Sequence, residues 1–249
     1  MAVTGPNLTA EDYGYRLPDH WLLNEDSATH FPIMYHAYVD KVVELVKQSG
    51  AQTVLEVGCG DGWNCGKLVE AGLKVVGIDW SRKGIAYASI LVPGGQFYCG
   101  DVRDTEFLSR FPDLFDALIF VEVLEHIPPD DCLDALRNIT SVLKVGGTMI
   151  LTTPSINFPN NNPHHYRHFD EQTLRNLVAE AGGLEITAIE GYGDVRYEAR
   201  MYKRLRWCEN RYFTIKPLRR AILFKYKDVC SRTPLDRCSG FILTIKKNA

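Results

Sequence analysis

Thr53-Val54-Leu55-Glu56-Val57-Gly58-Cys59-Gly60-Asp61-Gly62 decides the fold of this chain. Its first five residues favour a strand. The glycines that follow allow a tight turn into a helix and let backbone N–H groups approach a ligand. A dinucleotide-binding turn would want glycine where Trp63 stands, and Asp61 would repel a pyrophosphate from inside the cradle. The spacing suits a nucleoside-type ligand without phosphates.

Working outward, the chain alternates. Upstream, Tyr35, Tyr38, Val39, Val42, Val43 and Val46 repeat at helical spacing and stop at Gly50. Downstream, strands are expected at 74–78, 96–99, 115–121, 148–153 and 184–189. Helices are expected at 64–71, after a Ser81 N-cap, at 131–143 (stopped by Gly146-Gly147) and at 171–181. Short apolar strands alternating with helices build βαβ units, hence an α/β fold with a mostly parallel sheet and helices on both faces. Ligands of such sheets sit at the carboxyl ends of the strands. Asp79 closes the second strand about twenty residues beyond the glycines, where an acid accepts ribose hydroxyls. Asp101, in Gly100-Asp101-Val102 after the third strand, is placed to accept from an adenine amino group. Acids in register after three successive strands favour a ligand over three unrelated helix caps.

These motifs, with Phe115-Asp116-Ala117-Leu118-Ile119, Leu124-Glu125-His126-Ile127-Pro128 and Leu143-Lys144-Val145-Gly146-Gly147, resemble the class I S-adenosylmethionine-dependent methyltransferases. The nearest branch is the small-molecule one that includes ubiquinone-type O-methyltransferases. The resemblance covers 39–189, with 240–246 as the last strand. It implies a Rossmann-like, seven-stranded, mostly parallel sheet whose last strand is antiparallel, and S-adenosyl-L-methionine as cofactor. It also implies that Gly58, Cys59, Gly60 and Gly62 pass under the methionyl and ribose part, with Glu56 near the ammonium. Asp79 would hold the ribose, Asp101 and Val102 would frame the adenine, and Glu122-Val123 would line the cofactor beneath the methyl donor. Trp80 either packs on the adenine or anchors a helix start.

Methyl transfer from a sulfonium needs the acceptor held in line, and a hydroxyl acceptor also needs a base. His126, just past the fourth strand, is a candidate base; the alternative is a histidine that only packs or caps its loop. The loop after the fifth strand, Asn160-Asn161-Asn162-Pro163-His164-His165-Tyr166-Arg167-His168, should cover the acceptor pocket. His165 is a second catalytic candidate, and His164, Tyr166 and Arg167 are candidates for acceptor contact. The spacing of His164, His165 and His168 leaves a metal as the minor reading, but no carboxylate or cysteine adjoins them in the pattern of known zinc sites, so none is expected. Asp170 should cap the following helix. Tyr15 belongs to an aromatic amino-terminal stretch, 1–34, expected to close as a lid. The cofactor-binding core is then 35–194 with 239–249.

Between them, 195–238 is a basic and aromatic insertion. Its 195–232 part carries twelve Lys or Arg against three acids, a balance of +9, while the rest of the chain stands at −12. Such a segment suits an anionic acceptor, an anionic membrane surface, or pairing with the acidic core. Nucleic acid ranks last, since the core is acidic and no recognition motif is present.

The 249 residues, 45% hydrophobic and 24% charged, suit one globular domain rather than a disordered or fibrous chain. Seven scattered cysteines form no C-x-x-C pair, and 1–19 carries no signal-peptide pattern. A cytoplasmic, reducing setting is expected, with peripheral membrane contact as an option. The expected reaction is O-methylation of a small, lipid-linked or nucleotide-linked anionic acceptor such as a sugar. N-methylation of an amine, or cofactor binding without catalysis, are the alternatives.

Overall fold

The computed structural model describes residues 17–22, 30–111, 114–209 and 212–248. Its strands are β1 (Thr53–Val57), β2 (Lys74–Asp79), β3 (Gln96–Cys99), β4 (Phe115–Val121), β5 (Leu143–Pro154), β6 (Leu184–Tyr192) and β7 (Gly240–Lys247). Its helices are α1 (Asp19–Leu22), α2 (His30–Gln48), α3 (Trp63–Glu70), α4 (Arg82–Leu91), α5 (Thr105–Leu108), α6 (Cys132–Ser141), α7 (Glu171–Ala181), α8 (Val195–Cys208) and α9 (Lys216–Cys230). The strands form one sheet in the order β3-β2-β1-β4-β5-β7-β6. β1 to β5 pair in parallel, and β7 runs antiparallel between β5 and β6. β1 lies between β2 and β4, so the winding reverses there, which is where such sheets open a crevice.

Alternation along the strands sorts the core into two layers. Leu55, Val57, Leu118, Phe120, Met149 and Leu151 face one side with residues of α6 and α7. Val54, Ala117, Ile119, Val121 and Ile150 face the other, against Tyr38, Val39, Val42 and Val46 of α2. The expected periodicity of α2 is therefore its buried face. Ser81 caps α4 by accepting from Gly84 N–H at 3.1 Å, and Asp170 caps α7 by accepting from Thr173 N–H at 2.6 Å.

Several expected boundaries move, β6 running on to Tyr192 rather than 189. α6 ends at Ser141, not at 143, and β5 begins at Leu143, not at 148. Gly146-Gly147 does not stop a helix. It sits inside β5 beside a register shift between Phe115 and Ala117, and a Cβ on Gly147 would lie 3.0 Å from the Asp116 carbonyl oxygen. The glycines thus serve a bulge in a strand. The basic segment forms α8 and α9, which pack on each other and, through α9, on α2. Among the described residues, no helix is long and apolar enough to cross a membrane.

Candidate active site

The turn after β1 is shaped by glycines at positive φ. Gly58 has φ 68°, and a Cβ there would stand 2.4 Å from Val123 Cγ2. Gly62 has φ 81°, and its Cβ would meet Ala88 of α4 at 2.8 Å. Only glycine fits either place. Asp79, buried at the end of β2, holds this turn. One carboxylate oxygen accepts from Gly60 N–H at 2.8 Å, the other from Ser81 N–H at 2.7 Å. Burial raises its pKa, and those two N–H donors oppose the rise. Each oxygen keeps a further acceptor position.

Two cavities flank the turn and share Gly58 and His126. The first, about 610 Å³, opens toward β2 and β3 and is lined by Asp79, Trp80, Asp101, Val102, Val123 and Tyr166. It offers apolar walls and carboxylates at its edge, with no side chain at Gly58 to obstruct a ligand crossing to the second. That is a fit for the adenosine end of S-adenosylmethionine. The second cavity, about 1240 Å³, lies beside β4, β5 and β7, and includes Cys59, Gly60, Glu122, Glu125 and His165 in its wall.

The candidate residues do not all fall where expected. Glu56 lines neither cavity: it is fully buried and accepts from Asn64 Nδ2 and the Cys65 thiol, both at 2.8 Å. Burial pushes its pKa up to about 7. It anchors α3 to β1. Asp101 is gripped by Arg103, whose NH2 donates at 2.7 Å and whose Nε donates to both oxygens at 3.0 and 3.1 Å. Arg103 also pairs with Asp131 at 2.9 Å and lines the first cavity. Sequence reasoning missed it.

Arg167 does not enter the acceptor cavity. Its guanidinium stacks on the Phe169 ring, 4.6 Å from the centroid. His164 lines neither cavity, and its carbonyl accepts from His126 Nδ1 at 3.2 Å. Tyr166 borders the adenosine cavity, tied by its N–H to the Glu125 carbonyl at 2.8 Å. Tyr15 lies outside the described residues. Of the expected lid, 17–22 reaches the turn. His20 N–H donates to Asp61 at 2.9 Å, Trp21 Nε1 donates to the Asp61 carbonyl at 2.9 Å, and the His20 ring stacks on Tyr35.

Past β4 the backbone is strained at Glu122, which has φ 54°. Its Oε1 accepts from Tyr192 at 2.7 Å and Thr152 at 2.8 Å. Three residues on, Glu125 is fully buried, and burial with the neighbouring Glu122 charge raises its pKa well above the carboxylate range. His126 and His165 meet edge to face with centroids 4.6 Å apart. Burial lowers both imidazole pKa values, that of His165 to about 4, so both rings are neutral at pH 7.

A family model described as a methyltransferase domain matches residues 31–189. A ubiquinone biosynthesis O-methyltransferase of Dechloromonas aromatica is 31% identical over 132 residues, 52% of either chain. One of Coxiella burnetii is 28% identical over 155 residues, 55% of this chain and 65% of the relative. The chain thus spans about half to two thirds of the length of these curated relatives. The magnesium protoporphyrin IX methyltransferase of Synechocystis PCC 6803, solved with bound S-adenosylmethionine, superposes with TM-score 0.63 at 17% identity and full coverage of both chains. The chain belongs to the methyltransferase-domain family. Its fold is the class I one.

Proposed function

We propose that the chain methylates a hydroxyl group on a small or lipid-linked acceptor seated in the larger cavity. S-adenosylmethionine supplies the electrophilic methyl group on a sulfonium. Asp79, Trp80 and Val102 would hold its adenosine end, with Gly58 and Gly60 passing beneath. Catalysis beyond positioning then requires a group that takes charge of the hydroxyl proton. The observation that carries the reading is the edge-to-face imidazole pair His126 and His165 in the wall of the larger cavity, with His126 also lining the smaller one. The ubiquinone-type O-methyltransferase relatives support oxygen as the atom methylated.

Among the described residues, no Lys or Arg lines the larger cavity, and none of 195–232 lines either one. An anionic group of the acceptor therefore meets no fixed cation from the described residues there. The basic helices are better suited to a surface that presents the acceptor. Their exposed Trp207 and Phe224 favour an anionic membrane over a purely solvated pair of helices.

The test is incubation with S-adenosylmethionine and pools of phenols, sugars and lipid-linked alcohols, reading S-adenosylhomocysteine. Hydroxyl-dependent release is expected. Release with amines alone would establish N-methylation, and cofactor binding without release from any pool would make the chain a non-catalytic module.

A further inference from the structure

We infer that Arg103 sets the choice of base at the donor site, by holding Asp101 in the one orientation that accepts from the adenine amino group. The inference rests on S-adenosylmethionine as the donor, as proposed above. Arg103 lines the adenosine cavity beside Asp101 and Val102.

The hold on Asp101 is nearly complete. Its Oδ1 accepts from the Arg103 backbone N–H at 2.9 Å and from Nε at 3.1 Å. Its Oδ2 accepts from the same Nε at 3.0 Å and from Nη2 at 2.7 Å. A carboxylate offers about four acceptor positions. The three N–H groups, with Nε shared between the oxygens, leave one of them. A carboxylate gripped on both oxygens by a planar fork cannot turn without breaking a charged pair. The remaining acceptor position therefore has a fixed direction.

Burial alone would push the Asp101 pKa up, but the Arg103 hydrogen bonds outweigh it and hold the carboxyl below its usual range. Asp101 is then an anion, which accepts and does not donate. An adenine amino group donates to it. The 6-oxo group of hypoxanthine would face it with lone pairs, and a site built for an N–H group rejects the analogue that lacks one.

Arg103 is itself held from the next loop. Its Nη1 donates to Asp131 at 2.9 Å, and its carbonyl accepts from Asn138 Nδ2 at 3.2 Å. Asp131 stands at the N-cap position of α6, yet its side chain caps no helix N–H. An aspartate there ordinarily accepts from the first turn, whereas this one faces Arg103. One guanidinium thus fastens the loop after β3 to the start of α6. The side chains of Asp101 and Asp131 are 35% and 44% exposed, so each turns to water once the fork is removed. Arg103 acts through Asp101 and is a positioning residue.

The test is calorimetry of the intact chain with S-adenosylhomocysteine and with S-inosylhomocysteine, which carries oxygen in place of the amino group. The wild type should prefer the first by about 10- to 150-fold, the range of a hydrogen bond to a charged group. Arg103→Gln should cut that preference at least about fivefold, and so should Asp101→Ala. The double variant should show no further drop, since a residue acting through another loses its effect along with it. Arg103→Lys keeps the charge without the fork and should lose preference as well. Asp131→Asn lines neither cavity and should lower the preference in the same direction, which covers the case of an Arg103→Gln chain that does not fold. Preference unchanged in Arg103→Gln, or in Asp131→Asn where that stands in for it, would overturn the inference. So would both affinities falling in step, the mark of an ion pair that only braces the loop. Full preference in Arg103→Lys, a further drop in the double variant, or equal binding of the two ligands by the wild type would overturn it too. Failure of the donor reading looks different: the wild type gives heat with neither ligand, and the inference falls with it.

Discussion

Asp79 joins the two sides of the cofactor turn, because its carboxylate accepts from Gly60 on one and Ser81 on the other. Asp79→Ala removes the ribose acceptor and leaves those N–H groups without their partner. Affinity for S-adenosylhomocysteine should fall by about 1–3 kcal/mol, roughly 5- to 150-fold, by calorimetry. An unchanged affinity would remove Asp79 from the cofactor site. His126→Ala should act differently: turnover down by about 10²–10⁴ with cofactor affinity nearly kept. Equal losses in both would make His126 a packing residue. Asp79 and His126 were readable because each holds a fixed place relative to the end of a strand, Asp79 as its last residue and His126 a few residues beyond. The grouping of Glu125 with His165 was not, although Glu125 adjoins His126 in the chain, because only the folded loop brings His165 near. Arg103 was hidden for a similar reason. Nothing in the chain announces that a residue two beyond Asp101 turns back to neutralise it and reaches Asp131 as well.

The strands β1, β4 and β5 are tied at their amino ends by Asp116. Its carboxylate accepts from the N–H groups of Gln52 and Thr53 and from the Thr53 hydroxyl, each at 2.9 Å, and pairs with Lys144 at 2.7 Å. The Lys144 ammonium first, then those donors, hold its pKa well below the usual carboxylate range. A carboxylate depressed in the folded state contributes stability above its unfolded pKa, about 3.9, and loses it as pH falls through the lower folded value. Asp116→Asn should therefore destabilise by about 1 kcal/mol at pH 7, the screened value for a partly exposed site, and the gap to wild type should begin to narrow below about pH 4 and close as pH falls through the lower folded value. Denaturant melts across that range would show it, and a gap that persists in acid would remove Asp116 from this role. Lys144 also explains why β5 was read too short. The apolar, β-branched run that marks a strand begins only at Thr148, whereas 144–147 joins the sheet through a bulge. Such pairing needs glycine for its bend rather than side chains for its burial. Interior strands announce themselves by hydrophobic runs, and irregular edges of the same strands do not.

Across the whole molecule, charge is separated: +9 in 195–232 against −12 elsewhere. Within the helix pair the acids are already engaged. Glu209 takes the buried Arg219 at 2.8 Å, Glu198 accepts from Tyr226 at 3.0 Å, and Asp228 faces Arg232 at 3.8 Å. Arg200, Lys203, Arg204 and Arg206 of α8 are exposed, as are Arg220 and Lys225 of α9. Trp207, at 87% exposure, and Phe224, at 78%, stand out among them. Such cations attract an anionic lipid surface by about 1 kcal/mol each, and the rings enter its interface. The chain should sediment with phosphatidylglycerol vesicles more than with phosphatidylcholine ones, and less as salt rises. Replacing Arg204 and Arg206 together by Glu should weaken that binding by about 2 kcal/mol or more, roughly 30-fold. Trp207→Ala should weaken it on both vesicle types, since an apolar ring does not read headgroup charge. Cofactor affinity should hold in both variants, because neither helix lines either of the two cavities at the turn. Equal sedimentation of wild type and variants would reduce α8 and α9 to a cover for α2, whose buried face they already share.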